Sequence, residues 1–246
     1  MNNTQPLLKV KGVIKRFGGF TALNGVDLEI NSGERIGLIG PNGSGKSTMV
    51  NCIAGMLKPE EGTVSFQSND VTSLKPHERV QIGIARSFQI PRPFKSMTVL
   101  ENIKVVINFS RAGRADSVAS HDLDQVAMDV LVGVGLGAKA LELSASLTQV
   151  DMRKLELARA MAANPKLLIA DEAMAGLSGT EVDEILQLLM SMKERGVAVL
   201  MIEHIMRAVM HFSDRLVVLV AGTKIADGDP QVVINNPDVV KAYLGE

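Results

Sequence analysis

Short apolar runs rich in β-branched residues, separated by turn residues such as those at 31–33, characterise the first 66 residues of the chain. Runs of this length and composition are typical of β-strands. The third run is followed by a glycine-rich turn and an apolar helical stretch over residues 47–56, which predicts a strand-loop-helix unit among the strands. The predicted strands cover residues 8–14, 26–30, 35–39 and 63–66.

The middle of the chain changes to a helical pattern. Thr98 and Glu101 have the spacing of a capping box, in which two side chains satisfy backbone groups at a helix start, and an apolar stretch at 103–107 follows them. We therefore assign residues 91–155 to a helical subdomain inside a single domain that spans residues 1–246.

The last third of the chain alternates between helices and strands, which predicts a parallel sheet covered by helices. A turn is expected at residues 227–229, where Gly228 permits unusual backbone angles, and a short surface helix at 237–244. The helix and strand pairs are predicted at residues 153–163 and 167–170, 181–194 and 198–202, and 206–212 and 216–220.

The composition is that of an ordinary globular protein, with 46% apolar residues, 22% charged residues and a formal net charge of -1. This balance of charge argues against a general nucleic-acid binder, which needs a basic surface. The single cysteine, Cys52, excludes a disulfide framework and indicates a reducing compartment. Because no apolar run approaches the roughly 18 residues of a membrane span and the N-terminus is polar, we expect a soluble cytoplasmic protein.

Residues 40–48 match the phosphate-binding pattern G-x-x-x-x-G-K-[ST] and lie between a predicted strand and a predicted helix. In such a loop, backbone N–H groups at a helix N-terminus converge on the phosphates of a nucleotide. Lys46 is predicted to neutralise phosphate charge, and the hydroxyl of Ser47 is predicted to bind Mg²⁺. The loop consists of Gly40, Pro41, Asn42, Gly43, Ser44, Gly45, Lys46, Ser47 and Thr48.

Two consecutive carboxylates, Asp171 and Glu172, follow the buried strand predicted at 167–170. Ligands of open α/β sheets bind at the carboxyl ends of the strands. Asp171 is therefore predicted to bind the metal, and Glu172 to orient or deprotonate the attacking water. The alternative for Glu172 is an exposed charge at the start of a helix.

With these two sites in this order, the chain resembles the ATP-binding subunit of an ABC transporter over nearly its whole length. The resemblance implies an α/β P-loop fold with a parallel core sheet, an N-terminal antiparallel β subdomain and the helical subdomain. It implies ATP as substrate and Mg²⁺ as cofactor. It also implies roles for Phe17 in stacking on adenine, for Gln89 in sensing Mg²⁺ and water, and for His204 in contacting the γ-phosphate.

The signature motif of this family, usually written LSGGQ, is altered here. Candidate motifs begin at Leu143 and at Leu147, and the family spacing to Asp171 selects the second. Val150 stands where the family has glycine and crowds the loop, and Asp151 adds a negative charge near an anion. Nearby, Lys139 is interpreted as a solvated charge. The signature, expected to act on a partner's nucleotide, is Leu147, Thr148, Gln149, Val150 and Asp151.

The resemblance is strongest with the ATPases of importers for branched-chain or other hydrophobic amino acids, and urea or amide importers are similar. It implies a position on the inner face of the cell membrane. It implies transmembrane permease subunits as partners, a substrate-binding protein as an indirect partner, and no nucleic acid. The segments that carry this likeness are residues 17–20, 88–90, 95–103, 202–204 and 238–246.

The altered signature favours a heterodimer with a related ATP-binding subunit whose signature is intact, while a homodimer stays open. Two other functions also stay open. One is a nucleotide-gated scaffold with little hydrolysis, against which the retained Glu172 and His204 argue. The other is an ABC ATPase that acts outside transport, against which the lack of a coiled-coil insertion or second cassette argues.

Overall fold

Two β-sheets organise the part of the chain that is described, residues 5–87, 91–111 and 120–244 of a computed structural model. One sheet is antiparallel with the strand order β2-β1-β4-β5, and the other has the order β10-β9-β3-β8-β7-β6. The strands are β1 (Leu8–Phe17), β2 (Phe20–Ile30), β3 (Arg35–Ile39), β4 (Glu61–Phe66), β5 (Asn69–Asp70), β6 (Ile84–Ser87), β7 (Leu167–Asp171), β8 (Ala198–Ile202), β9 (Arg215–Val220) and β10 (Thr223–Gly228).

Helices connect and cover these strands, and within the described ranges none is long and apolar enough to cross a membrane. The helices are α1 (Lys46–Ile53), α2 (Pro76–Ile82), α3 (Val99–Arg111), α4 (Ser120–Gly133), α5 (Gln149–Ala162), α6 (Gly179–Ser191), α7 (Met206–Phe212), α8 (Pro230–Ile234) and α9 (Pro237–Leu244).

The larger sheet is parallel except at one edge, where β10 pairs antiparallel with β9. Its inner strands are continuous apolar runs because both of their faces are buried. Ile36 belongs to a core with Met49 of α1 and Leu28 of the antiparallel sheet. Val199 belongs to a second core with Phe212 of α7. The predicted α/β fold is confirmed, and the core sheet is mixed rather than wholly parallel.

Helices α3, α4 and α5 share an apolar core of their own, to which Ile103, Leu131 and Leu155 contribute. The capping box predicted at the start of α3 is confirmed. The Thr98 N–H donates to Glu101 Oε2 over 2.7 Å, and the Glu101 N–H donates to Thr98 Oγ1 over 3.2 Å. Because α5 continues past residue 155, the limits of the helical subdomain stay a prediction.

The turn predicted at residues 227–229 is wrong. Asp227 and Gly228 end strand β10, whose hydrogen bonds to β9 outweigh the weak strand propensity of this polar segment. Asp229 instead begins α8, where its carboxylate accepts hydrogen bonds from the N–H groups of Gln231 and Val232. Sequence patterns also missed α2 and β6, which are short and carry the charged residues of an ordinary surface segment.

Candidate nucleotide-binding site

Glycines shape the loop between β3 and α1. Gly40 and Gly45 have φ angles of 152° and 103°, and each approaches backbone from another strand. A Cβ atom on Gly40 would lie 2.1 Å from the Leu219 carbonyl oxygen, and one on Gly45 would lie 2.5 Å from that of Ala22. Gly43, with a φ of 79°, faces open space instead. The glycines therefore let the loop wrap closely against the sheet while its centre exposes backbone to a pocket.

The N-terminus of α1, which we call the open helix end, has Gly45 as its cap, no side-chain capping hydrogen bond and no acidic residue in its first turn. The first N–H groups of a helix lack intrahelical partners and carry partial positive charge, so they attract anions. The Lys46 ammonium lies inside the loop, where it donates to the carbonyl oxygens of Gly40 over 2.7 Å and Pro41 over 3.1 Å. Burial lowers the pKa of Lys46, and the nearby carboxylates of Glu172 and Asp171 oppose this change.

Glu172 lies directly after β7 and has a positive φ of 49°, which is uncommon for a residue with a side chain. Its N–H donates to the Ile202 carbonyl oxygen of β8 over 2.9 Å, so the neighbouring strand helps to hold this conformation. Glu172 Oε1 lies 3.2 Å from Nε2 of His204, which follows β8. Parallel pairing of the two strands thus brings the carboxylate and the imidazole together. Strain of this kind is concentrated at functional sites.

Asp171 is the last residue of β7 and is 7% exposed. Its Oδ2 atom accepts a hydrogen bond from Nη2 of Arg86 on β6 over 2.5 Å. The same guanidinium donates through Nη1 to Oδ1 of Asn51, on α1, over 2.7 Å. Arg86 therefore connects the strand that leads to residue 89, the predicted metal carboxylate and the helix of the phosphate loop.

A pocket of about 280 Å³ unites much of the predicted site. Phe17 is 47% exposed at its mouth, and Phe20, its cross-strand partner, is 60% exposed. Gln89 lies outside the described residues. Asp171 and the signature residues are not among the lining residues, which are Phe17, Phe20, Ala22, Asn42, Gly43, Ser44, Gly45, Lys46, Ser47, Thr48, Glu172 and His204.

Comparison with known proteins assigns this arrangement to a family. The ABC transporter family model matches residues 23–175, and the model for branched-chain amino acid ATP-binding cassette transporters matches residues 223–246. The chain belongs to the ABC transporter ATP-binding family. As a member of it, the protein is an ABC-type ATPase and an ATP-binding subunit that works with permease subunits.

Individual relatives agree over the whole length of the cassette. The chain is 39% identical over 257 residues to the high-affinity branched-chain amino acid transport ATP-binding protein LivG of Salmonella typhimurium, covering 99% of both chains. A crystal structure of a nucleotide-free ATP-binding cassette from an ABC transporter matches with a TM-score of 0.87 and 33% identity, covering 98% of this chain and 100% of that one. The ADP conformation of the cassette MJ1267 matches with a TM-score of 0.86 and 33% identity, covering 99% and 100%.

Residues 147–151, which sequence analysis predicts to be the altered signature, lie at the start of α5. Thr148 is the helix cap, and its Oγ1 atom accepts a hydrogen bond from the Asp151 N–H over 3.3 Å. Lys139, which sequence analysis interprets as a solvated charge, is partly exposed and also forms an ion pair, because its ammonium lies 2.5 Å from Oδ2 of Asp151. The turn that precedes α5 brings the two residues together, which their separation of a dozen positions does not reveal.

Residues that sequence reasoning missed hold the segment after Glu172. Glu203 is 4% exposed and accepts a hydrogen bond from the Met174 N–H over 2.8 Å; burial raises its pKa. Arg153, on α5, donates to the Ala175 carbonyl oxygen over 3.0 Å. Glu203 stands next to His204, so its position in the chain was the available clue. For Phe20, the clue was its pairing with Phe17 across a glycine turn.

Proposed function

We propose that this ABC-type ATPase binds ATP with Mg²⁺ in the pocket beside α1 and that its hydrolysis powers the import of branched-chain amino acids. One observation carries the proposal: the open helix end and the buried ammonium of Lys46 face Glu172 and His204 across one pocket. That combination offers positive charge for phosphates and a carboxylate near the position of an attacking water.

The phosphate loop, residues 40–48, binds the β- and γ-phosphates in this proposal. Backbone N–H groups supply the hydrogen bonds, and Lys46 supplies the charge. Lys46 is 6% exposed, and two loop carbonyl oxygens hold its ammonium inside the phosphate loop, so its charge is already located in the loop. A preorganised cation stabilises developing charge without the cost of reorientation.

Glu172 orients the attacking water and accepts its proton, and His204 contacts the γ-phosphate. The imidazole lies 3.2 Å from the carboxylate, so the two groups reach the same reacting atoms. The positive φ of Glu172 directs its side chain into the pocket rather than along the next turn. Gln89 senses Mg²⁺ and the water in this scheme, and Phe17 stacks on adenine at the mouth of the pocket.

The donor set fits Mg²⁺, which prefers hard oxygen ligands and keeps several waters or phosphate oxygens. Among the described residues no group of three or more His, Cys, Asp or Glu side chains is able to hold a metal alone. The hydroxyl of Ser47, the carboxylate of Asp171 and the side chain of Gln89 are the proposed ligands from the chain. When bound with ATP, Mg²⁺ would neutralise charge on the phosphate oxygens.

The proposed cargo is branched-chain amino acids. LivG of Salmonella typhimurium is named as a branched-chain amino acid transport ATP-binding protein, and the similarity covers 99% of both chains. The match of residues 223–246 to a model of branched-chain amino acid cassettes adds support from the C-terminal region. Cargo is selected by other subunits, so this part of the proposal is about the transporter to which the chain belongs.

The proposed partners are a second ATP-binding subunit, transmembrane permease subunits and, indirectly, a substrate-binding protein. Nucleic acid is not a proposed partner. The altered signature supports a heterodimer, in which residues 147–151 face the partner's nucleotide. The ATPase then lies on the inner face of the cell membrane, held by permease subunits. We further propose that residues 1–246 form one ATP-binding domain and that the helical subdomain, residues 91–155, is the part that meets the permease.

Steady-state ATPase assays test this function. The purified chain is measured alone, with a related ATP-binding subunit, and with the complete membrane complex, and Glu172→Gln serves as the matched variant. We expect low activity alone and a large increase in the complex. Glu172→Gln is expected to lower kcat of the complex about 10²- to 10⁴-fold while a fluorescent ATP analogue still binds, because general-base catalysis contributes roughly that much.

Two results would contradict the proposal. Turnover in the complex that is unaffected by Glu172→Gln would remove Glu172 from the chemistry, and nucleotide binding without turnover would favour the scaffold function. Uptake by proteoliposomes that contain the complex tests the cargo. Leucine, isoleucine and valine are expected to accumulate with ATP, and uptake of urea in their place would assign a different importer.

A further inference from the structure

Arg86 joins two elements that carry proposed ligands of Mg²⁺. Its Nη2 atom donates to Oδ2 of Asp171 at the end of β7 over 2.5 Å, and its Nη1 atom donates to Oδ1 of Asn51 on α1 over 2.7 Å. Ser47, another proposed ligand, lies on α1 four residues before Asn51. We call the contacts of Arg86 with Asp171 and Asn51 the guanidinium bridge.

The guanidinium bridge lies one helical turn from the hydroxyl that is proposed to bind the metal. Residues four apart in an α-helix share one face and lie about 5–6 Å apart, so Asn51 stands one turn after Ser47 on the same side of α1. On the sheet side, Arg86 pairs with Ile169, and Asp171 follows two residues later on the same face of β7. The bridge therefore fixes the face of α1 that carries Ser47 against the strand that ends at Asp171.

A guanidinium is well suited to hold such a distance. Its planar fork presents N–H donors in a fixed arrangement, whereas an ammonium is a point charge on a flexible stem. The side chains of Arg86 and Asp171 are 13% and 10% exposed, and the low local dielectric strengthens their hydrogen bond. Arg86 is not among the residues that line the nucleotide pocket, so it acts on the site through Asp171 and α1.

We propose that Arg86 is a positioning residue that sets the spacing between Ser47 and Asp171, and thereby the affinity of the nucleotide site for Mg²⁺. The inference rests on the proposed function, in which these two side chains are ligands of Mg²⁺. A hydroxyl and a carboxylate supply the hard oxygen atoms that this ion prefers. Because Mg²⁺ requires nearly ideal octahedral geometry, its binding is sensitive to the spacing of those oxygen atoms.

Charge and position predict opposite effects for the loss of Arg86. The guanidinium is a cation beside a proposed metal ligand, so if its charge alone mattered, its removal would strengthen the binding of Mg²⁺. If it positions Asp171, its removal weakens that binding, because the loss of a group that orients a metal ligand typically lowers metal affinity by about 10- to 100-fold. The direction of the change therefore separates the two roles.

A titration of the full chain with Mg²⁺ tests the guanidinium bridge. A fluorescent, non-hydrolysable ATP analogue is bound in EDTA, and its further binding on addition of Mg²⁺ gives the half-saturating Mg²⁺ concentration. Arg86→Met removes the guanidinium, Arg86→Lys keeps the charge without the fork, and Asn51→Leu opens the bridge but leaves the cation beside Asp171. The matched control is Arg35→Met, because Arg35 forms an ion pair of comparable burial with Asp214 at the amino end of β3.

We expect the half-saturating Mg²⁺ concentration to rise about 10- to 100-fold in Arg86→Met and by a smaller factor in Arg86→Lys and Asn51→Leu. The double variant Arg86→Met/Asn51→Leu should match Arg86→Met, because both changes open the same bridge. Binding of the analogue in EDTA should stay native in all of these variants. Arg35→Met should keep the native response to Mg²⁺.

The proposal is overturned if Arg86→Met, folded by circular dichroism, responds to Mg²⁺ at the native concentration or at a lower one. If Arg86→Met does not fold, Asn51→Leu decides, and an unchanged or lower half-saturating concentration overturns the proposal. A native chain that binds no analogue, or whose binding does not respond to Mg²⁺, contradicts the proposed function itself, and the role of Arg86 fails with it.

Discussion

The starts of α1 and α5 are two helix N-termini that differ in their capping: the first has no side-chain cap, and the second has one. At the open helix end, Gly45 has no side chain to cap the helix and the first turn contains no acid. At the start of α5, Thr148 and Asp151 cap each other, and Lys139 neutralises the charge. The same backbone dipole and the same four N–H groups are present in both places.

The two helix ends differ in whether side chains of the protein satisfy them, and an unsatisfied helix end attracts anions. Capping stabilises a helix by roughly 1 kcal/mol, so an uncapped end gives up stability for binding. At α1, the packing of Met49 and Ile53 into the main core holds the helix without a cap. At α5, the cap and the ion pair satisfy the helix start with groups of the chain itself.

The largest expected effect comes from closing the open helix end. Thr48 occupies the same turn position in α1 that Asp151 occupies in α5, so Thr48→Asp transfers the acid. An added charge about 5 Å from a phosphate costs about 3 kcal/mol at an effective dielectric of 20, which is roughly a 100-fold loss of ATP affinity. Titration with a fluorescent ATP analogue measures it.

Thr48→Asn, of the same size but without charge, is the control for this substitution. It is expected to retain most of the affinity. Thermal unfolding of Thr48→Asp without nucleotide should show no loss of stability, since an acid in the first turn favours a helix. Unchanged ATP affinity in Thr48→Asp would mean that the phosphates do not bind at this helix end.

The segment after Glu172 gives the next effect. Glu203 accepts the Met174 N–H beside His204, and Arg153 of α5 holds the next carbonyl group. Glu203→Ala leaves a buried N–H without its acceptor, which costs about 1–3 kcal/mol of unfolding free energy. Urea denaturation measures the loss. Glu203→Gln keeps an acceptor oxygen and should recover most of it, and equal losses in the two variants would contradict this role.

Removal of the N-cap of α5 is expected to cost less. Thr148→Ala deletes the hydroxyl that accepts from the Asp151 N–H, and lost caps of this kind lower the unfolding free energy by about 1 kcal/mol. Thr148→Ser retains the hydroxyl and should unfold like the native chain. Chemical denaturation of the three proteins checks the order. No loss in Thr148→Ala would show that the cap does not stabilise the helix.

The smallest expected effect on stability comes from an ion pair that lies away from both helix ends, and it serves as a reference for the other variants. Arg35 of β3 and Lys193 hold the carboxylate of Asp214, and the hydrogen bond from Arg35 lowers the pKa of Asp214 to about 2 despite partial burial. After allowance for solvent screening, Asp214→Asn should lower the unfolding free energy at pH 7 by up to about 1 kcal/mol.

The pH dependence of that reference follows from its sign. Because the folded pKa of Asp214 lies below the unfolded value near 3.9, the stabilisation is present above pH 4 and is lost as the pH falls towards 2. The difference in unfolding free energy between the native chain and Asp214→Asn should shrink across that range. A difference that stays constant from pH 7 to pH 2 would exclude the ion pair as its cause.

Local patterns predicted the central elements well. Strands β3 and β8 and helices α7 and α9 occur where the sequence patterns indicated. Burial on both faces gives a strand a continuous apolar run, and burial on one face gives a helix a period of about 3.6 residues. The edge strand β10 and the short helix α2 were harder to predict from the sequence. Strand β10 is polar and depends on its hydrogen bonds to β9. Helix α2 is short, and its buried residue is the charged Arg79 rather than an apolar one.

The candidate site divides in the same way. Lys46, Asp171, Glu172 and His204 stand at or soon after the carboxyl ends of strands β3, β7 and β8, and a parallel sheet brings those ends to one edge. Arg86 has no local pattern that points to a site, and for Phe20 the local pattern is only its separation from Phe17 by two glycines. They reach it through strand pairing, Phe20 opposite Phe17 and Arg86 beside β7.

The sequence by itself determined the glycine loop, the order of charged residues at strand ends and the residue types at 147–151, because each depends on residue type and spacing along the chain. Only the tertiary structure decided what those residues face. It directed Glu172 towards His204 through a positive φ held by β8, and it brought Lys139 to Asp151 across a turn. Whether a helix end binds an anion depends on which charges surround it, and those charges come from distant parts of the chain.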